Sequence, residues 1–251
     1  MRRFLALLAL LPVLALAQDK PRIALIMDDL GYNSARGQAV LELPAAITCA
    51  VIPQAPQSPR LAREAIAAGK EVMLHLPMAT KNNAPLDKGG LRNGMSPEQV
   101  RATVRAALER IPQAVGANNH MGSVITTRAE IMRPVMRELA NQQRYFIDSL
   151  TTPESIAADL ARRMQLPSAS RDVFLDNSKD LLRINEQFNK LVAKARRQGN
   201  AIGIAHPYPE TITYLKKVLP LLPEMGVELV PVSRLLTRPV EAGKKLAERQ
   251  Q

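Results

Sequence analysis

From Arg22 to Val230 the chain repeats one pattern: a short apolar run of strand length, then a longer stretch with apolar residues at helical spacing. The runs Ile23-Ala24-Leu25-Ile26-Met27 and Ala201-Ile202-Gly203-Ile204-Ala205 are apolar without alternation, as expected of strands covered on both faces. The pattern predicts strands over 22–27, 47–52, 71–76, 115–118, 145–147, 173–175, 201–205 and 227–230, and helices over 59–68, 96–111, 128–142, 155–164, 181–198 and 211–225. Ser96-Pro97-Glu98-Gln99 supplies a helix start, with an N-cap serine, proline at the first helical position and a polar side chain at the third. Strand-then-helix repetition implies an α/β fold with a parallel sheet and helices outside it, as a barrel or an open sheet. No low-complexity linker divides it, so a single domain is expected.

The ends read differently. Met1-Arg2-Arg3, the apolar run from Phe4 to Leu16 and Ala15-Leu16-Ala17 have the layout of a secretory signal peptide, expected over 1–17 with cleavage before Gln18. The apolar run is short of the ~20 residues a membrane span needs, so no stable span is expected after cleavage. The domain is expected over 18–238, with a charged tail over 239–251. An exported, periplasmic location follows. The single cysteine, Cys49, allows no internal disulfide and lies in an apolar run, where it reads as core. Losing Arg2 and Arg3 lowers the formal net charge from +11 to +9, which favours anionic envelope polymers. Nucleic acid is not expected as a partner, given export and an aromatic content of 3%. The oligomeric state is not legible.

The chemistry-bearing residues fall at one kind of place. Asp28-Asp29 follows Ile23 to Met27, His75 closes Glu71-Val72-Met73-Leu74, His120 follows Val115 to Asn119, and His206 closes Ala201 to Ala205. Asp148 and Asp176 likewise follow Tyr145-Phe146-Ile147 and Val173-Phe174-Leu175. In a parallel sheet or barrel the carboxyl ends of the strands form one face, so residues far apart in sequence meet there. A carboxylate with two imidazoles makes a divalent-metal site with a position left open for water, zinc being the ion such ligands suit. A second carboxylate can then take a proton and another histidine can give one. Asn118, Asn119 and Ser123 suit either donation to an oxyanion or turn formation. Tyr208 and Tyr32 suit either sugar contact or packing. The 79–95 stretch, with Asn82-Asn83, Pro85 and Gly89-Gly90, reads as a long polar loop of the kind that often serves function.

Met27-Asp28-Asp29-Leu30-Gly31, Glu71 to Met78, Gly116 to Ser123 and Ile204 to Thr211 together resemble the divergent polysaccharide deacetylase family, a branch of the wider carbohydrate esterases. The resemblance implies a deformed (β/α) barrel of about seven strands and metal-dependent removal of acetyl groups from sugars. By position it implies Asp28 as base, Asp29 and His75 as metal ligands and His206 as acid. Four residues after His75, where the wider pattern has a second histidine, stands Ala79, and His120 is the candidate for that ligand. Asp148 resembles a downstream acid that would tune the base or, equally, shape a turn; Asp172 and Asp176 are open in the same way. The expectation is therefore a metal-dependent glycan deacetylase, with Asp28 and His206 catalytic, Asp29, His75 and His120 on the ion, and Asn118, Asn119, Ser123, Tyr208 and Asp148 toward substrate. The alternative is a noncatalytic glycan- or partner-binding protein on the same barrel. A metal-independent hydrolase is disfavoured, since the chain has no Gly-x-Ser-x-Gly elbow.

Overall fold

The computed structural model describes residues 20–236, so the expected leader (1–17) and tail (239–251) lie outside the described residues. The strands are β1 Arg22–Leu30, β2 Thr48–Val51, β3 Glu71–Met78, β4 Gly116–Met121, β5 Tyr145–Asp148, β6 Ser168–Ser170, β7 Val173–Phe174, β8 Asn200–Ala205 and β9 Glu228–Leu229. The helices are α1 Ser34–Leu41, α2 Ser58–Ala67, α3 Pro97–Arg110, α4 Ala129–Asn141, α5 Ala157–Arg163, α6 Leu181–Gln198 and α7 Pro209–Val218. Ser96 caps α3 in a full capping box with Gln99. The expected helix over 211–225 ends early, because Pro220 and Pro223 cannot continue it.

Among the described residues the strands form one nine-stranded sheet in the order β6-β5-β4-β3-β2-β1-β8-β7, with β9 beside the start of β1, and every pairing is parallel. Its two edges are joined by one short stretch of chain. Within 168–174 the first half pairs with β5 and the second with β8; Arg171 N donates to Asp148 O (2.9 Å) and Asp172 N to Ile202 O (2.8 Å). The result is a deformed parallel barrel; the apolar pattern marks eight of its nine strands and misses β6, because Ser-Ala-Ser carries no apolar signal, while the resemblance implied about seven.

Side chains alternate between the helix-facing and inward faces. Ile23, Leu25 and Met27 of β1 join the layer under the helices, while Ala24 and Ile26 point inward with Ala50, Met73, Tyr145, Ile147, Ile202, Ile204 and Val232. One inward step further along, the interior turns polar: Ile26 gives way to Asp28, Met73 to His75, and Ile204 to His206. His75 lies within β3, as the expected strand over 71–76 has it, and His120 lies within β4, which runs past the expected 115–118. Gly203 clears α6: a Cβ there would press on Leu25, Leu175 and Leu191 at 2.7–2.8 Å. No helix among the described residues is long and apolar enough to cross a membrane.

Candidate metal centre

The Asp-Asp pair is aimed by a bulge. Met27 pairs with Cys49 and Leu30 with Val51, so β1 holds one residue more than β2 over the same stretch. In a regular strand adjacent side chains point to opposite faces. Here Asp29 takes a left-handed backbone (φ 56°), a conformation Asp tolerates better than most residues. Both carboxylates therefore reach the same mouth of the barrel. Gly31 follows at φ 122°, where a Cβ would collide with Ser58 and Ala55.

Asp29 Oδ1 lies 3.0 Å from His75 Nε2 and 2.9 Å from His120 Nδ1, and the two ring nitrogens are 3.0 Å apart. These are the described residues whose atoms group closely enough to hold an ion. Ligands about 2.0–2.1 Å from a tetrahedral ion stand roughly 3.3 Å from one another, so the trio fits a divalent ion with a small outward adjustment. The donor set of one carboxylate and two imidazoles fits zinc chemically. His75 is pre-oriented for this: its Nδ1 lies 2.7 Å from Asn118 Oδ1, and Asn118 Nδ2 donates to Asp28 Oδ1 at 2.8 Å. The amide oxygen can only accept, so the Nδ1 proton stays there and Nε2 is the nitrogen left to face an ion.

The two adjacent acids have opposite electrostatics. Asp28 is buried, and desolvation raises its pKa above the usual carboxylate value despite the nearby His75 and His206 and the Asn118 hydrogen bond. Burial also works against Asp29, yet hydrogen bonds from His120 and His75 and the charge of both rings hold it well below that value. For His75 burial is likewise outweighed, and Asp28 and Asp29 lift it to about 9.

His206 stands on the other side of Asp29, its Nε2 3.7 Å from Asp29 Oδ2. Asp176 fixes the ring: Oδ1 is 3.0 Å from His206 Nδ1, while Oδ2 accepts from the His206 backbone N at 2.7 Å and from Thr211 Oγ1 at 2.8 Å. This raises the His206 pKa against the opposing pull of burial. Phe174 stacks on the imidazole at 5.2 Å between centroids, and Tyr208 packs at 5.4 Å. A cleft of about 310 Å³ opens over the group, lined by Asp29, Tyr32, Arg36, His120, His206 and Tyr208 among others.

Of the residues expected toward substrate, Tyr208 lines this cleft. Asn118 sits beneath it, fully buried between His75 and Asp28. Asn119 and Asp148 lie elsewhere, because they are in phase with the outward-facing Ala117 and Phe146. Asn119 receives Ser149 N and donates to Met121 O; Asp148 receives Leu150 N, Ser155 Oγ and Ala158 N, the turn role. Ser123 accepts from Lys81 N and ties two loops together. Sequence reasoning left Asp176 unassigned and missed Asp87, whose Oδ2 is 3.3 Å from His120 Nε2. Only its place in a long polar loop could have pointed to Asp87.

The sequence profile for divergent polysaccharide deacetylases matches residues 25–236. The uncharacterized protein YibQ of Escherichia coli K12 is 40% identical over 237 residues, spanning 94% of this chain and 72% of that protein. Among solved structures, the uncharacterized protein ATU2773 of Agrobacterium tumefaciens C58 superposes with a TM-score of 0.83 at 24% identity, covering 87% of this chain and 90% of that one. A BA3943 mutant, described as a CE4 family pseudoenzyme with restored enzymatic activity, shares the fold at a TM-score of 0.56 and 15% identity, over 88% of this chain and 69% of its own.

Proposed function

The chain belongs to the divergent polysaccharide deacetylase family, and from that premise we propose that it is a metal-dependent deacetylase of an acetylated cell-envelope glycan, acting after export to the periplasm. The observation that carries this reading is the meeting of Asp29 Oδ1, His75 Nε2 and His120 Nδ1 at about 3 Å from one another, with Asp28 and the Asp176-backed His206 beside them. Asp29, His75 and His120 would hold the ion, zinc by its ligand chemistry. When bound, it would polarise the acetyl carbonyl and acidify water.

The remaining work falls to the chain's own groups. Asp28, with its pKa raised by burial, accepts the proton of the attacking water better than an ordinary carboxylate would. His206 carries a proton on Nε2 toward the cleft while Asp176 holds Nδ1. As the carbonyl carbon gains an oxygen and its bond to nitrogen or oxygen breaks, that proton goes to the departing amine or alkoxide, and acetate leaves. Tyr32 and Tyr208 present faces to a sugar ring, and Arg36 at the rim suits an anionic polymer. The leader layout at 1–17 supports export, and the basic excess that remains once Arg2 and Arg3 are lost suits an anionic envelope.

The test is acetate release from N- and O-acetylated glycan fragments by zinc-loaded and chelator-stripped full-length protein. Release that is lost on stripping and regained with zinc is the expected result. The rival reading is a noncatalytic glycan-binding protein, which the loss of activity on a related barrel keeps in view. Fragment binding with zinc present and no acetate released from any fragment would overturn the deacetylase reading in its favour.

A further inference from the structure

His75 and His120 are held in different ways. His75 is buried and fixed by Asn118, a neighbour on the adjacent strand, whereas the His120 side chain is 18% exposed and its outer nitrogen meets a residue from a loop. That loop, residues 79–95, is pinned to the barrel near its end. Ala79 N donates to Leu91 O at 2.9 Å, Leu91 N donates to Pro77 O at 2.8 Å, and Leu91 is fully buried. Between these anchors the chain arches over the mouth, turning at Gly89 (φ 74°). From the arch Asp87 reaches back: Oδ2 lies 3.3 Å from His120 Nε2, and Oδ1 accepts the hydroxyl of Tyr32 from the β1–α1 turn. Asp87 meets the nitrogen facing away from Asp29 and His75, so it stands outside the donor trio.

We propose that Asp87 is the positioning residue for the second metal imidazole, and that the 79–95 loop is a strap whose closure and ion binding promote each other. An imidazole that ligates through Nδ1 must carry its proton on Nε2. A carboxylate accepting that proton fixes the tautomer and orients the ring. Tyr32 shares the carboxylate and keeps it turned toward His120. Since Asp87 rides on the strap, an ion that favours the oriented His120 favours the closed strap, and by reciprocity the closed strap favours the ion. This inference rests on the reading of Asp29, His75 and His120 as metal ligands and on nothing about the substrate.

The experiment measures zinc affinity of the full chain by chelator competition for wild type, Asp87→Ala, Asp87→Glu and Tyr32→Phe, with His75→Ala as the control that removes a ligand. Asp87→Ala is expected to bind zinc about 10- to 100-fold more weakly, Asp87→Glu to recover part of the loss, and Tyr32→Phe to lose only a few-fold. Cobalt-substituted Asp87→Ala should show a shifted visible spectrum, which a change in general stability would not produce. Zinc should slow amide exchange across 79–95 in wild type and much less in Asp87→Ala. Unchanged zinc affinity in a folded Asp87→Ala, with His75→Ala unable to bind, overturns the strap inference and leaves the metal-site reading standing. If Asp87→Ala does not fold, Tyr32→Phe with unchanged affinity and exchange overturns it instead. A wild-type chain that takes up no zinc overturns both.

Discussion

Both ends of the barrel hold inward-facing carboxylates, and the two ends hold them in opposite ways. At the amino end Glu71 Oε1 accepts from Tyr145 Oη (2.9 Å), Thr48 Oγ1 (3.3 Å) and Ser233 N (3.2 Å), and Val232 N donates to Thr48 Oγ1 at 3.1 Å. These bonds stitch the closing turn Val232–Leu235 across the floor. Burial and Glu71 hold the Tyr145 phenol well above its usual pKa, so it remains a donor. At the carboxyl end Asp28 and Asp29 face imidazoles, which can keep a proton or surrender it to an ion. An acid surrounded by donors that do not titrate is committed to architecture; the same group among donors that do titrate is available for chemistry.

Substitutions at the two ends should have separable effects. The largest effect is expected from Asp28→Asn, which should lower acetate release about 10³-fold while zinc still binds, because the trio is intact. Zinc loss together with turnover would place Asp28 among the ligands and erase its separate role. Next, Glu71→Ala should cost about 2 kcal/mol of stability in denaturant titrations, as the floor loses its acceptor. Zinc affinity should stay within about twofold of wild type, and a larger change would mean that the two ends are not independent.

A pH series sharpens the contrast. His75 sits at about 9 in the folded, ion-free protein against an ordinary 6.5, so its stabilising contribution is complete below pH 6.5 and is lost as pH rises through about 9. Zinc must displace that proton, so apparent affinity should climb by up to about tenfold per pH unit below about 9 and level above it. A flat profile in competition titrations would show that the ring holds no proton to displace. The smallest effect is expected from Phe174→Leu, which keeps apolar contact but removes the stacked face beneath His206. Turnover should fall a few-fold with zinc affinity unchanged.

How much of this was legible follows from two rules, apolar continuity and strand parity. Ile23 to Met27 and Ala201 to Ala205 announce central strands, and the rule that strand ends share a face gathers Asp28, Asp29, His75 and His206 from across the sequence. Parity, applied strictly, separates the rest: Asn118 is in phase with His120 and inward, whereas Asn119 and Asp148 follow the outward Ala117 and Phe146. The signals fail where no periodicity exists. Ser168–Ser170 is a polar strand with no apolar mark, α1 is a short helix containing Gly37, and Asp87 sits on an arch whose position no local pattern encodes. The bulge that lets Asp28 and Asp29 face one way is invisible for a similar reason, since it is set by pairing with a separate strand, Met27 with Cys49 and Leu30 with Val51.

The stretch that joins the two edges of the sheet also carries Phe174 and leads directly into Asp176, the two groups that hold the imidazole of His206. The hoop that shuts the barrel and the bracket of its proton donor are one covalent piece. Breathing at Arg171 and Asp172 would therefore swing the donor out of line, so amide exchange at those two residues reports on readiness for proton delivery, and stiffening the hoop would tune the acid from a distance.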